Sequence, residues 1–543
     1  MNNHRNGRLA ALSVCWLSLA GCEPHTVLIA EPSDGRDLPP DADAVVETDG
    51  GFEDDGGWMD ITDEEDEVDA SPPCPIWVSA IAIGGVEDGS REHPRVGLQA
   101  AIDGRGDCGH LVLVVGPEGP LFDLAVDVEL AAGQRLLVEG ETSSTGPPQL
   151  VGAGADSGIR AWGDGELELR NLHLDGGSAA AGGCLDADVL QLRLVATRWT
   201  DCAAVEDGGA VSVVAADVAV VDSVFLENTA GGRGGALAID SWASDARVRI
   251  EGCDFRRNRA ERGGAVGLLV PTVQVQITGT RFVGNAATWS GGALAGYIGG
   301  RVIGNRFDGN RGGFGGGAVA GEAGSTETEI GQNVFADNTL VAGRPDPDRP
   351  PVAGAAIALA PAYVAIRNNV FLRNTTNRSD CDPGNCPTAA VTLGFGRSIL
   401  WNNTFVDNAA VGGPVDGIGA AHLLAQTGEL DVRSNIFAGG DGDVAVLPPV
   451  PPGGRHWIEY NDAWAFAGTP FPVDAVLGPG MLAADPLFRD AGADDYRLQA
   501  GSPCVDAGDE AADLRDADGS RNDMGAFGGP AGRWTPLAPG DAP

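Results

Sequence analysis

Lysine is absent from all 543 residues, so each of the 35 basic side chains is an arginine. That excludes Schiff-base chemistry and any lyase or hydrolase whose base is a lysine. Histidine is sparse: seven residues are scattered singly, and no cysteine or histidine spacing suggests zinc, so no metal centre and no cofactor is expected. Positive charge is scarce as a whole. Against 77 acidic residues it leaves a formal net charge of -42 and a pI near 4.3. A nucleic acid would be repelled over most of such a surface, which excludes that class of partner.

What the chain has in excess is glycine, and it is placed rather than scattered. Gly 82 and Pro 34 together make about a fifth of the sequence, below the range that marks low-complexity disorder. The stretch "NRFDGNRGGFGGGAVAG" (305–321) has relatives along the chain: "DSVFLENTAGGRGGALAI", "EGCDFRRNRAERGGAVGL", "TGTRFVGNAATWSGGALAG", "GQNVFADN", "RNNVFLRN" and "WNNTFVDN". Their Phe residues stand at 225, 255, 282, 307, 335, 371 and 405, in steps of 25 to 36 residues. Degenerate copies carry Trp199 and Phe437 at the same place. A repeat of that length means a solenoid or array.

Each unit holds two or three short strand-like runs with turns between them and no room for a crossover helix. Stacked units of this kind predict an all-β right-handed parallel β-helix of about a dozen coils, in which each strand pairs with the coils above and below at about 4.8 Å. Phe should stack on Phe inside, and Gly-Gly-Ala (208–210, 234–236, 263–265, 291–293, 316–318) should form a tight turn. The Asn columns should occupy left-handed corners and hydrogen-bond from coil to coil. Position Phe minus two reads Ser223, Cys253, Thr280, Asn305, Asn333, Asn369, Asn403 and Asn435, an Asn ladder in the C-terminal half. Cys253 here, and Cys202 in the second Asn column, read as small buried substitutes. "RVGLQAAIDGR" (95–105) predicts a short capping helix over the open first coil, with Val96, Leu98, Ala100 and Ala101 on one side. "HLVLVV" (110–115) would then be the first buried strand.

Before the repeats, residues 31–69 carry 17 carboxylates against one Arg, a local net of -16, and should stay solvated. Residues 1–21 have a basic start at Arg5 and Arg8 and an apolar run over 9–19, too short to span a bilayer. "LAGC" (19–22) resembles the bacterial lipoprotein box. The resemblance implies export, a lipid on Cys22 and an outer-membrane location, with residues 22–72 as an acidic tether. The domain expectation is therefore a signal at 1–21, the lipidated tether at 22–72, the β-helix at 73–529 and a tail at 530–543. In an oxidising compartment the remaining cysteines are free to pair. Cys381 and Cys386 bracket the turn sequence "DPGN", which predicts a loop-closing disulfide, and Cys74 with Cys108 would pin the segment before the repeats.

The paired motifs F-x-x-N and G-G-A-[LV], over about residues 199–408, resemble the repeats of the polymorphic outer-membrane proteins, a family of surface-exposed β-helical adhesins. That family closes in a membrane barrel, whereas this sequence ends "GRWTPLAPGDAP". "ADPLFRDAGADDYRLQAGSPCVDAGD" and "DADGSRNDMGAFGG" are similar to the closing signature of choice-of-anchor Q proteins, over about residues 458–529. These resemblances imply a non-catalytic envelope or surface lipoprotein that presents a β-helix for adhesion or glycan binding.

The alternative is a carbohydrate-active enzyme, a polysaccharide lyase or a glycoside hydrolase. Its best carboxylate candidates are Asp188 and Asp240, which with Val214 between them would face outward two coils apart, roughly 9 to 10 Å. "DADG" (516–519) lacks the order of an EF-hand loop and reads as an acidic turn. Insertions at 343–352, 377–386 and 448–457 are candidate contact loops. The sharpest binding expectation lies in the turns between F-x-x-N and Gly-Gly-Ala. They would set Arg233, Arg259, Arg262, Trp289, Arg311 and Phe314 along one edge, suited to an acidic polysaccharide.

Overall fold

The computed structural model describes residues 73–539 apart from 80–86, 107, 117–121, 142–145, 153, 155–157, 270–273, 323–326, 342–353, 361–362, 378–388, 395, 412–420, 426–427, 440–443, 448–454, 467–469 and 472–475. Cys22, the 22–72 segment, Cys381 and Cys386 lie outside the described residues. So do 343–352, 378–386 and 448–454 of the three insertions.

The repeat folds as a parallel β-solenoid. Each full coil contributes one strand to each of four sheets, as in Arg247–Glu251, Asp254–Arg256, Arg259–Arg262 and Val266–Leu268. In that order we number the sheets first to fourth; they contain 15, 13, 9 and 12 strands, and nine coils among the described residues supply all four. The pairing between coils is parallel throughout these four sheets, with Phe225 opposite Phe255, Phe255 opposite Phe282, and Phe282 opposite Phe307. The short runs of the sequence become strands only because each has a copy of itself above and below.

Stacking fixes the interior. Trp199 and the repeat Phe residues 225, 255, 282, 307, 335, 371, 405 and 437 are fully buried, and successive rings of these Phe lie nearly parallel, with centroids 4.6 to 5.1 Å apart. Two Asn ladders flank them. In one, Asn228 donates through Nδ2 to Asn258 Oδ1 (2.9 Å) and to the backbone carbonyl of Trp199 in the preceding coil (3.1 Å), and the pattern continues to Asn408. The other begins when Thr280 N–H donates to Asn305 Oδ1 and ends at Asn461. The left-handed corner does not fall on these Asn residues. It falls on the residue before each, such as Arg257 (φ 53°), Asp337 (57°) and Asn402 (53°), which leaves the ladder Asn free to aim its amide inward.

The Gly-Gly-Ala turns divide the labour between their glycines. Gly208, Gly234, Gly263 and Gly291 adopt φ of 62 to 70°, whereas a Cβ on Gly209 would stand 2.0 Å from the Gly235 carbonyl oxygen of the next coil. The first glycine supplies the bend and the second the close approach.

At the N-terminal end a helix spans Leu98–Asp103 and buries Leu98, Ala101 and Ile102; Ala100 faces outward, against expectation. His110–Val115 is not the first strand of the stack, because Cys74–Ser79 pairs with it in parallel from the other side. Cys74 and Cys108 are joined by a disulfide with Cα atoms 6.3 Å apart. Cys202 is not a small substitute: it is bonded to Cys184, Cα–Cα 5.7 Å, across one coil. Cys253 is a buried free thiol whose pKa is pushed up to about 12, chiefly by burial, and it is therefore inert.

The terminal segment turns back over the second sheet. Phe488, Tyr496, Cys504, Met524 and Ala526 pack on the outer faces of Val334, Val370, Leu372, Val406 and Ile436, a second apolar core outside the solenoid wall. It is tied down by Arg373 to Asp494 (2.8 Å), Arg433 to Asp509 (3.0 Å) and Asn402 Nδ2 donating to Asn522 Oδ1 (2.8 Å).

Candidate functional site

The third sheet and the turn that leads into the fourth hold the arginines singled out above. Register places Arg259 opposite Ala286 and Ala286 opposite Arg311, so the two exposed arginines stand two coils apart, about 9.6 Å. Around the corner, Arg233 is bridged to Arg262 and Arg262 pairs with Ser290. The register shifts here because Ala286–Ser290 carries one extra residue between Ala287 and Ser290, which sets Arg262 opposite Ser290 rather than Trp289. The Arg262 guanidinium lies 5.6 Å from the centroid of the Trp289 ring, and Trp289 stacks on Phe314 at 5.2 Å. The six residues thus fall into two groups. Arg233, Arg262, Trp289 and Phe314 form a contact chain; Arg259 and Arg311 stand beside it, separated by one alanine.

Ion pairing is uneven over the coils of this edge. One turn away Arg256 is bonded to Asp254, and Arg257 to Glu227 at 2.7 Å. Arg233, Arg259 and Arg311 reach no carboxylate within ion-pair distance among the described residues, and the Arg262 guanidinium has only Glu261, at 3.9 Å. Among the described residues Arg247 and Arg281 reach no carboxylate either. The Asp207 carboxylate beside Arg233 accepts the backbone N–H of that residue instead (2.6 Å).

Behind the corner lies a groove of about 430 Å³ on the outer face of the fourth sheet, which nothing in the repeat motif announced. Its floor is Gly267, Ala295 and Ala320, which follow one another in register. Arg233, Arg262 and Ser290 form one lip; Leu269 and Tyr297 stand on the other side. A Cβ on Gly267 would come within 3.0 Å of Arg233 Cβ, so the missing side chain makes room for the arginine stem.

The carboxylates of the same sheet lie further toward the N-terminal coils. Asp188 pairs with Val214 and Val214 with Asp240, two coil spacings in all. Asp186, on the same strand as Asp188, has its carboxyl pushed up by burial and by the neighbouring Asp188, partly offset by Arg160. Arg160 is already engaged with Asp127 through bonds of 2.7 and 2.9 Å. No cluster of three or more metal-ligating side chains occurs among the described residues, Asp516 and Asp518 included. Asp516 spends its oxygens on the backbone N–H groups of Asp523 and Gly529, which makes it a clasp of the terminal segment.

No family model and no curated protein matches this chain.

Proposed function

We propose that this chain is a non-catalytic cell-envelope lipoprotein that holds an acidic polysaccharide along the arginine edge of its solenoid. The observation that carries the reading is the unneutralised charge. On a chain of net charge -42, in which Arg256 and Arg257 nearby are bound to acids, Arg233, Arg259 and Arg311 stand exposed on one edge with no carboxylate to hold among the described residues. An anion lying along the stack supplies it, and a guanidinium grips carboxylate or sulfate through paired hydrogen bonds. Trp289 and Phe314 add ring faces on which a sugar stacks. A lipid on Cys22 would hold this surface at the outer membrane, in keeping with the lipoprotein-box resemblance.

The second reading, a carbohydrate-active enzyme, draws on Asp186, Asp188 and Asp240, with Trp162 exposed in the row of Asp188. One incubation separates the two. The full chain is passed over immobilised acidic polysaccharides and the eluted polymer is sized. Retention with unchanged chain length supports the binding module; shortened chains or new unsaturated ends sink it in favour of the enzyme. Arg259→Ala with Arg262→Ala should weaken retention, as should salt, and Trp289→Ala should weaken it less. Anchoring is tested by metabolic labelling with a fatty-acid analogue, which should tag the wild type and miss Cys22→Ala.

A further inference from the structure

The groove on the fourth sheet differs chemically from the open edge beside it, and the difference points to what it takes. We infer that it is a subsite for one carboxylated sugar unit, a uronic acid residue, of the polymer that the edge holds; this rests on the reading of the edge given above.

Three observations lead there. First, parallel pairing sets Arg233 and Arg262 side by side on adjacent coils, where the nearest acids are held off: Glu261 lies 3.9 Å from Arg262 Nε, and Asp207 takes the backbone N–H of Arg233 rather than its guanidinium. Two like charges directly opposite across a ladder repel, and the usual remedy, a hydrogen-bonded carboxylate, is present for Arg256 and Arg257, whereas here Glu261 stays beyond hydrogen-bond distance. Arg262 Nε is moreover buried without a hydrogen-bond partner. A planar carboxylate set between the two guanidinium groups accepts from both, which a lone surface arginine cannot arrange. Second, the floor is bare. The outward positions of this column read Asp186, Ser212, Ala238, Gly267, Ala295 and Ala320 on successive coils, so polar side chains stop where the groove begins. A flat floor one or two atoms deep admits a ring lying against the sheet. Third, the wall facing the arginines is Leu269 and Tyr297, which gives the less polar face of a sugar ring a surface while its acid points at the arginines. A bulkier, tetrahedral sulfate ester on a flexible arm needs neither the flat floor nor the apolar wall, so the open pair Arg259 and Arg311 serves both kinds of polymer and the groove only one.

The test uses the full chain and two probes, oligogalacturonate and dextran sulfate, with binding followed by calorimetry. Ala295→Leu fills the floor without touching an arginine, and Arg262→Gln removes one cation while keeping a polar side chain. Ala295→Leu should lower affinity for oligogalacturonate about tenfold and leave dextran sulfate within about twofold; Arg262→Gln should lower oligogalacturonate about tenfold and dextran sulfate several-fold less than that, whereas Arg259→Ala with Arg311→Ala should lower both alike. Thermal melting shows whether Ala295→Leu is folded; if it is not, Arg262→Gln and Tyr297→Ala carry the decision. Wild-type binding of dextran sulfate, with oligogalacturonate affinity unmoved by these groove variants, overturns the subsite and leaves the edge standing. Binding of oligogalacturonate lost in Arg262→Gln, with no binding of dextran sulfate by the wild type, overturns the edge and leaves the subsite. Binding of neither probe overturns both.

Discussion

The second sheet has two halves with the same inside and different outsides. Around Phe255, Phe282 and Phe307 the flanking outward residues are Asp254 and Arg256, Arg281 and Val283, Arg306 and Asp308. Around Phe335, Phe371 and Phe437 they are Val334 and Ala336, Val370 and Leu372, Ile436 and Ala438, all buried. The terminal segment lies on the second group. The corner residues change in step: Gly252, Gly279 and Gly304 in the first half, Gln332, Asn368, Asn402 and Ser434 in the second, all at positive φ. In the second half the corner side chains bond the terminal segment. Gln332 donates to the Ala531 carbonyl, Asn368 to those of Ala526 and Gly528, and Ser434 Oγ accepts the Asp509 N–H. The interior of a coil is therefore dictated by the coils on either side of it, and the exterior records what lies on it.

If the two interiors are equivalent, they should fail alike. Phe255→Ala and Phe371→Ala each remove a fully buried ring from the stack and should each cost about 3–5 kcal/mol. Hydrogen exchange resolved by peptide is the measurement, because a long repeat need not unfold in one step. A much smaller loss for Phe371→Ala would mean that the terminal segment, and not the stack, holds the second half.

Acid should separate core from cover. His422, buried beside Phe405, accepts the amide of Asn408 on Nδ1 (3.2 Å) and donates from Nε2 to the Gly439 carbonyl (3.0 Å), so it ends one Asn ladder as a neutral ring. Burial pulls its pKa down to about 4 from an ordinary 6.5. The unfolded chain therefore binds the proton first, and stability present above pH 6.5 is lost as pH falls toward 4, by up to about 3 kcal/mol. Asp523 in the terminal segment runs the other way: burial pushes its carboxyl up to about 6, so the folded state binds the proton first and gains as pH falls below 6. Between pH 6.5 and 4.5, exchange corrected for intrinsic rate should quicken around residues 421–425 and slow around 522–526. His422→Asn should abolish the first change only.

How much of this was legible follows from the same division. Phe, Asn and Gly-Gly-Ala columns are written into the sequence once per coil, and stacking turns a period directly into contacts, so the interior could be read from the repeat alone. The left-handed corner was misassigned by one position because Asn is suited both to that corner and to the ladder, and only the backbone shows that the preceding residue takes the corner. Cys202 was misread for a related reason: its column says Asn substitute, whereas its partner Cys184 sits 18 residues earlier in the same coil, outside any column. The groove was invisible because its parts come from different places in the repeat. Arg233, Arg262 and Tyr297 meet around Gly267 only once the register, with its shift opposite Arg262, is known. That the terminal segment is a cover could not be read either, because what it covers lies in the outward residues of strands up to about 190 residues earlier.

The smallest effects belong to the corner. Gly304 has φ 69° and open space, with no atom within 4 Å, where a Cβ would stand, so Gly304→Asn should cost under about 1 kcal/mol, since Asn tolerates the left-handed region. Asn402→Gly keeps the backbone freedom and removes only the side chain, whose Nδ2 donates to Asn522 Oδ1 and to the Asp523 carbonyl, both at 2.8 Å. Its expected cost is about 1–3 kcal/mol, because the Asn522 side-chain amide also loses Asn402 Oδ1 as an acceptor. The loss should fall on the terminal segment alone, read as faster exchange or proteolysis over residues 502–534 with the coils around Phe405 unchanged. Equal and small effects of the two substitutions would mean that the corner side chains merely fill space, and that the apolar contacts of Met524 and Ala526 hold the cover by themselves.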